Sequence, residues 1–90
     1  MFRSAIPVLH VRSSAAAEEF YGGKLGFRQE FAYRPGEGRD PCYMGLIRDD
    51  ARLHVSSFPG DGVTGTLVYL VVDDVDRLHE DLQEIGRAHV

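Results

Sequence analysis

The sequence has one cysteine, Cys42, so neither an internal disulfide nor a cysteine-rich zinc site can form. A reducing cytoplasm is then the default compartment. No run of Lys or Arg offers a phosphate-binding stripe, and the net charge is −4 with a pI near 5.4, which argues against nucleic acid or an anionic membrane as the main partner. No apolar stretch approaches the roughly 20 residues of a membrane span. The opening Met1-Phe2-Arg3-Ser4 lacks the apolar segment of a signal peptide. What remains is ordinary globular material: 90 residues, 43% hydrophobic and 27% charged. A chain of this size buries roughly 60–65% of its unfolded surface, enough for one modest core.

Ile6 to Val11 reads as a first strand, with Pro7 near its start, where an edge tolerates proline. Ser13 or Ser14 caps a helix that Ala15, Ala16, Ala17, Glu18 and Glu19 favour, with Phe20, Tyr21 and Leu25 on its apolar face and Gly26 as its stop. Phe27 to Tyr33 is a second strand, followed by a loop. Cys42 to Arg48 and Arg52 to Ser57 are two strands joined tightly at Asp49-Asp50. Thr66 to Val72, almost continuously apolar, reads as a strand covered on both faces. Asp73 or Asp74 caps a second helix with Val75, Leu78, Leu82 and Ile85 as its stripe and Gly86 as its stop.

The fold class expected is therefore α+β, a curved mixed sheet with flanking helices, built from one βαβββ module and the start, βα, of a second. Strand, cap, helix and closing glycine occur twice, at Val11 to Gly26 and at Val72 to Gly86. The division expected is module one over residues 1–57, a linker over 58–65 and a partial module two over 66–90. Two full units would need roughly 120 residues, so the chain is expected either to lack its last third, incomplete at the C-terminus, or to complete its sheet with another chain; a homodimer is expected, with strand exchange as one route.

Glu18-Glu19-Phe20-Tyr21-Gly22-Gly23-Lys24-Leu25-Gly26-Phe27 resembles the F-Y-x-x-x-L-G-F signature of the glyoxalase, bleomycin-resistance and extradiol-dioxygenase (vicinal oxygen chelate) superfamily. Arg52-Leu53-His54-Val55-Ser56 resembles the fourth strand of bleomycin resistance proteins. The resemblance implies the fold more than the activity. It also implies where metal ligands would stand: Ile6, His54 and Leu67, with a fourth position past Val90. Only His54 among these can ligate, whereas a divalent ion needs three or four such donors, so no metal and no cofactor is expected.

Period-2 reasoning assigns the strand faces on its own. A turn at Asp49-Asp50 pairs Ile47 with Arg52, Leu46 with Leu53, Gly45 with His54, Met44 with Val55 and Tyr43 with Ser56. One face is then purely apolar. The other mixes aromatic, apolar and polar groups, as a ligand cleft does. The candidate ligand contacts on this face are His54, Tyr43, Arg52 and Ser56, with Gly45 leaving space before the imidazole; the resemblance implies that His10 and Tyr69 line the same surface, and Phe31 and Tyr33 on the second strand are the candidates to close it. No catalytic set is specified. The expected function is non-catalytic binding of a small organic molecule, antibiotic sequestration being the family's example. A metal-dependent lyase, isomerase or dioxygenase, and a truncated assembly module, stay open as alternatives.

Overall fold

Two acidic residues that cannot extend a strand close the hairpin at the centre of the fold. In the computed structural model, which describes residues 1–63 and 65–88, Asp49 takes a φ of 52° and turns strand β3 (Tyr43–Arg48) back into β4 (Ala51–Ser56). The pairing is the one the alternation predicts: Tyr43 faces Ser56, Met44 Val55, Gly45 His54, Leu46 Leu53 and Ile47 Arg52. Strand β1 (Val8–His10) runs parallel to β4, and β2 (Arg28–Tyr33) runs antiparallel to β3, giving the order β1-β4-β3-β2. Backbone bonds from His54 N–H to Pro7 O and from Val11 N–H to Ser56 O, both 2.9 Å, extend the first pairing past the strand itself.

Met44, Leu46, Leu53 and Val55 share one face of the sheet and are all nearly inaccessible. They form the core with Leu9, Ala17, Phe27 and Cys42. Each fully buried aliphatic side chain stabilises the fold by roughly 1.5–3 kcal/mol. Above this face lies helix α1 (Ser14–Ala17), capped by Ser13, whose Oγ accepts from Ala16 N–H at 3.1 Å. The helix does not continue as regular α to Gly26. Over Glu18–Lys24 it widens to a π-helical turn, closed by Leu25 N–H donating to Phe20 O five residues back at 3.1 Å. Gly26, at φ 75°, then sends the chain into β2.

Helix α2 (Val75–Ala88) begins as expected, with Asp74 Oδ1 accepting from Arg77 N–H at 3.0 Å. It runs through Gly86 rather than stopping there. Leu78, Leu82 and Ile85 are only half-buried and Val75 is exposed. A guanidinium holds the helix in place: Arg48 donates to Leu25 O at 2.8 Å and to Asp81 Oδ2 at 3.2 Å.

Thr66 to Val72 departs from the expectation of a strand covered on both faces. Among the described residues it joins no sheet, and Leu67, Tyr69 and Val71 are more than four-fifths exposed (83%, 91% and 96%). Val68 alone leans on the core. The apolar run specifies a segment suited to burial. It supplies neither the neighbouring strand that would pair its backbone nor the layer that would cover it.

Candidate functional site

The face of the sheet away from the helices carries an aromatic group around one histidine. Gly45, opposite His54, has no side chain, and the ring of Phe31 lies in the space this leaves; a Cβ at position 45 would stand 2.7 Å from Phe31 Cδ1. Phe31 reaches this place through a β-bulge. Gln29 pairs with Leu46 and Phe31 with Gly45, so Glu30 is an extra residue. In unbroken register Glu30 would face Gly45, and Phe31 would face Met44 and the core. The ring stacks near-parallel to Tyr43 at 6.2 Å and meets the His54 imidazole edge-on at 5.3 Å. Tyr43 Oη and His54 Nδ1 are hydrogen-bonded at 2.8 Å. Tyr33, next to Tyr43 in register, stacks on Phe58 at 6.2 Å. Phe31 and Tyr33 remain about half exposed (44% and 57%), so the aromatic surface is open to solvent.

Four expected contacts, His54, Tyr43, Phe31 and Tyr33, are therefore brought together. The others are placed differently. Arg52 lies at the rim, its guanidinium against the Glu30 carboxylate at 3.0 and 3.4 Å, and this pairing raises its already high pKa. Ser56 is fully buried. Its Oγ donates to Asp61 Oδ2 at 2.7 Å and accepts from Phe58 N–H at 3.1 Å, so it braces the 57–62 loop and is closed to a ligand. His10 is on the same face through its pairing with Ser56, but its Nδ1 is buried without a hydrogen-bond partner beneath that loop, where a Cβ on Gly62 would lie 3.9 Å from His10 Cβ. Tyr69 does not join the group. Its segment runs along the helix side, where Leu67, Val68 and Leu70 border a 280 Å³ cavity with Leu9, Tyr21 and Leu53. Nor does Gly45 leave room before the imidazole, since Phe31 fills it.

Three contributors escaped the sequence reading. Phe58 falls in the stretch whose composition reads as a linker, although an aromatic residue before Pro59 is a poor fit to a solvated tether. Asp61 sits in the same stretch. Glu30 owes its position to the bulge, which period-2 alternation cannot announce. A larger groove of about 790 Å³ lies between α2 and the β3–β4 turn, bordered by Leu70, Leu78, Leu82 and the turn and cap aspartates. None of the expected contacts lines it.

A resident metal does not fit this face. His54 is surrounded by Phe31, Tyr43 and Gly45, the aligned positions Ile6 and Leu67 carry no donor, and among the described residues no group of three or more His, Cys, Asp or Glu converges.

The fold and face define a βαβββ module whose sheet presents an exposed aromatic surface around His54. The family model for glyoxalase superfamily proteins matches residues 1–88, and the chain belongs to that superfamily. Among solved structures it is similar to the bleomycin-binding protein from bleomycin-producing Streptomyces verticillus complexed with copper(II)-bleomycin, at 31% identity and a TM-score of 0.66 over 94% of this chain. The match spans 65% of that protein's length, just under two thirds. It is similar also to TnmS3, an antibiotic binding protein from Streptomyces sp. CB03234, at 28% identity and a TM-score of 0.55, over 96% of this chain and 74% of that one. A glyoxalase/bleomycin resistance protein from the same Streptomyces strain matches at 26% identity and a TM-score of 0.57, over 91% of this chain and 75% of that one. No curated protein matches.

Proposed function

We propose that the chain binds a small organic molecule, of the antibiotic class, without transforming it, on the sheet face formed by His54, Tyr43, Phe31 and Tyr33, with Arg52 at the rim. The observation that carries this reading is the seat of Phe31 on Gly45, edge-on to a histidine whose other flank is bonded to Tyr43. Such a face offers aromatic area and one directional polar group. Its one hydroxyl–imidazole pair, Tyr43–His54, is flanked by the Phe31 ring, and among the described residues no carboxylate dyad or cluster of three metal-ligating groups stands beside it. The copper(II)-bleomycin held by one similar structure, and the description of another as an antibiotic binding protein, support the same reading. A protein of this kind acts by lowering free ligand, so affinity and abundance matter and a transition-state site does not.

Thermal unfolding against added copper(II)-bleomycin, metal-free bleomycin and unrelated heteroaromatic antibiotics tests it. A ligand held at 100 times its Kd stabilises the native state by about 2.7 kcal/mol. Loss of that stabilisation in His54→Ala, with the unliganded fold intact, is expected. A stabilising ligand consumed during the incubation would overturn the non-catalytic reading.

A further inference from the structure

The Tyr43–His54 contact says more about the ligand than that it is aromatic. A phenol O–H is a stronger donor than a neutral imidazole N–H, and an unprotonated imidazole nitrogen is a stronger acceptor than a phenol oxygen. With a neutral imidazole bare at Nδ1, the 2.8 Å contact is O–H of Tyr43 donating to Nδ1 of His54. A neutral imidazole that accepts at Nδ1 carries its proton on Nε2. Among the described residues Nε2 has no hydrogen-bond partner and is not among the fully buried unpaired atoms, on a ring that is only half-buried. The ring cannot easily turn over to offer its other edge, because Phe31 packs edge-on against it at 5.3 Å and Tyr43 flanks it at the same distance.

We infer that Tyr43 is a positioning residue that holds His54 as an Nε2–H donor, and that the face therefore selects planar aromatic ligands carrying a hydrogen-bond acceptor, a ring nitrogen or a carbonyl oxygen, on the edge that meets His54. This rests on the proposed ligand-binding role of the face. It adds which edge chemistry is accepted, and it assigns Tyr43 a role through His54 beyond its own ring surface.

Two measurements on the intact chain test it. The first needs no ligand. Long-range 1H–15N spectra at a pH where the imidazole is neutral, with His54 assigned by its loss in His54→Phe, should show Nδ1 bare and Nε2 protonated. In Tyr43→Phe the Nδ1–H form should gain population. A wild-type His54 protonated at Nδ1 overturns the inference. The second compares acridine-9-carboxylate with anthracene-9-carboxylate, which differ by a ring nitrogen in place of a CH. The wild type should bind the acridine probe about fivefold more tightly, the scale of one neutral hydrogen bond, and Tyr43→Phe should show a reduced preference while still binding both. Equal binding of the two probes by the wild type, or an undiminished preference in Tyr43→Phe, overturns the inference and leaves the ligand-binding reading standing. Failure of the wild type to bind either probe overturns the ligand class and that reading together.

Discussion

The ring of Phe31 occupies the volume that any side chain on Gly45 would need. Two residues on adjacent strands thus share one side chain's worth of space, and the shape of the candidate face depends on which of them fills it.

Gly45→Ala should accordingly push Phe31 off its seat. The expected cost is about 1–3 kcal/mol in urea unfolding, the range for overpacking a well-filled site. Gly45→Leu should go further and abolish ligand binding even with His54 intact. Retained affinity in Gly45→Leu would move the ligand site away from this face.

Leu53 and Arg52 are sequence neighbours with opposite fates. Leu53 is 2% exposed in the core, whereas Arg52 is solvated at the rim and paired with Glu30. Leu53→Asp should destabilise by about 3 kcal/mol or more, since it buries an unpaired charge. Arg52→Asp, at the solvated rim, should cost far less. Equal losses by chemical denaturation would contradict the register.

That register was legible because a two-residue turn and strict alternation leave one solution that buries Met44, Leu46, Leu53 and Val55 together. His54 and Tyr43 were legible together for the same reason, whereas Phe31 and Tyr33 lie on a strand whose side the hairpin alone does not fix. Ser56 and His10 were on the right face, yet a loop that composition marks only as polar folds over them. Tyr69 was misplaced because alternation within Thr66 to Val72 fixes which residues share a side, not which side of the sheet the segment lies along. The Glu30 bulge left no mark in the pattern, since one inserted residue looks like loose alternation.

Asp40 couples the 34–42 loop to the start of α1. Its carboxylate accepts from Ser57 Oγ at 2.6 Å and from Ser14 N–H at 2.9 Å. The Ser57 bond, helped by the Ser14 bonds and by Arg34 and opposed by partial desolvation, holds its pKa below the usual carboxylate value. A carboxyl depressed in the folded state stabilises above its unfolded pKa, and that contribution fades as pH falls through the folded value. Asp40→Asn should therefore lower the Tm at neutral pH, and the gap to wild type should close as pH drops below about 4. Because Asp40 is exposed, the neutral-pH difference should be under about 1 kcal/mol. A gap that persists at low pH would show that charge on Asp40 contributes nothing.

The apolar run at Leu67, Tyr69 and Val71 bears on assembly. Soluble proteins seldom leave such a stretch uncovered, and a second copy of the chain would cover it. Light scattering at micromolar concentration should give a dimer mass, and Leu67→Glu with Val71→Glu should return it to the monomer. A wild-type monomer would remove the basis for this expectation.

Arg48 leaves its mark on how stability is distributed along the chain. Helix α2 has no fully buried residue, and the polar grip of one guanidinium on Leu25 O and Asp81 stands in for a packed apolar face. The amides of α2 should then exchange with deuterium through a local detachment, well before those of β3 and β4, which open only when the core does. Arg48→Met should speed exchange throughout α2 while leaving the hairpin amides almost as slow as before, dividing this small molecule into a durable sheet and a helix that comes and goes.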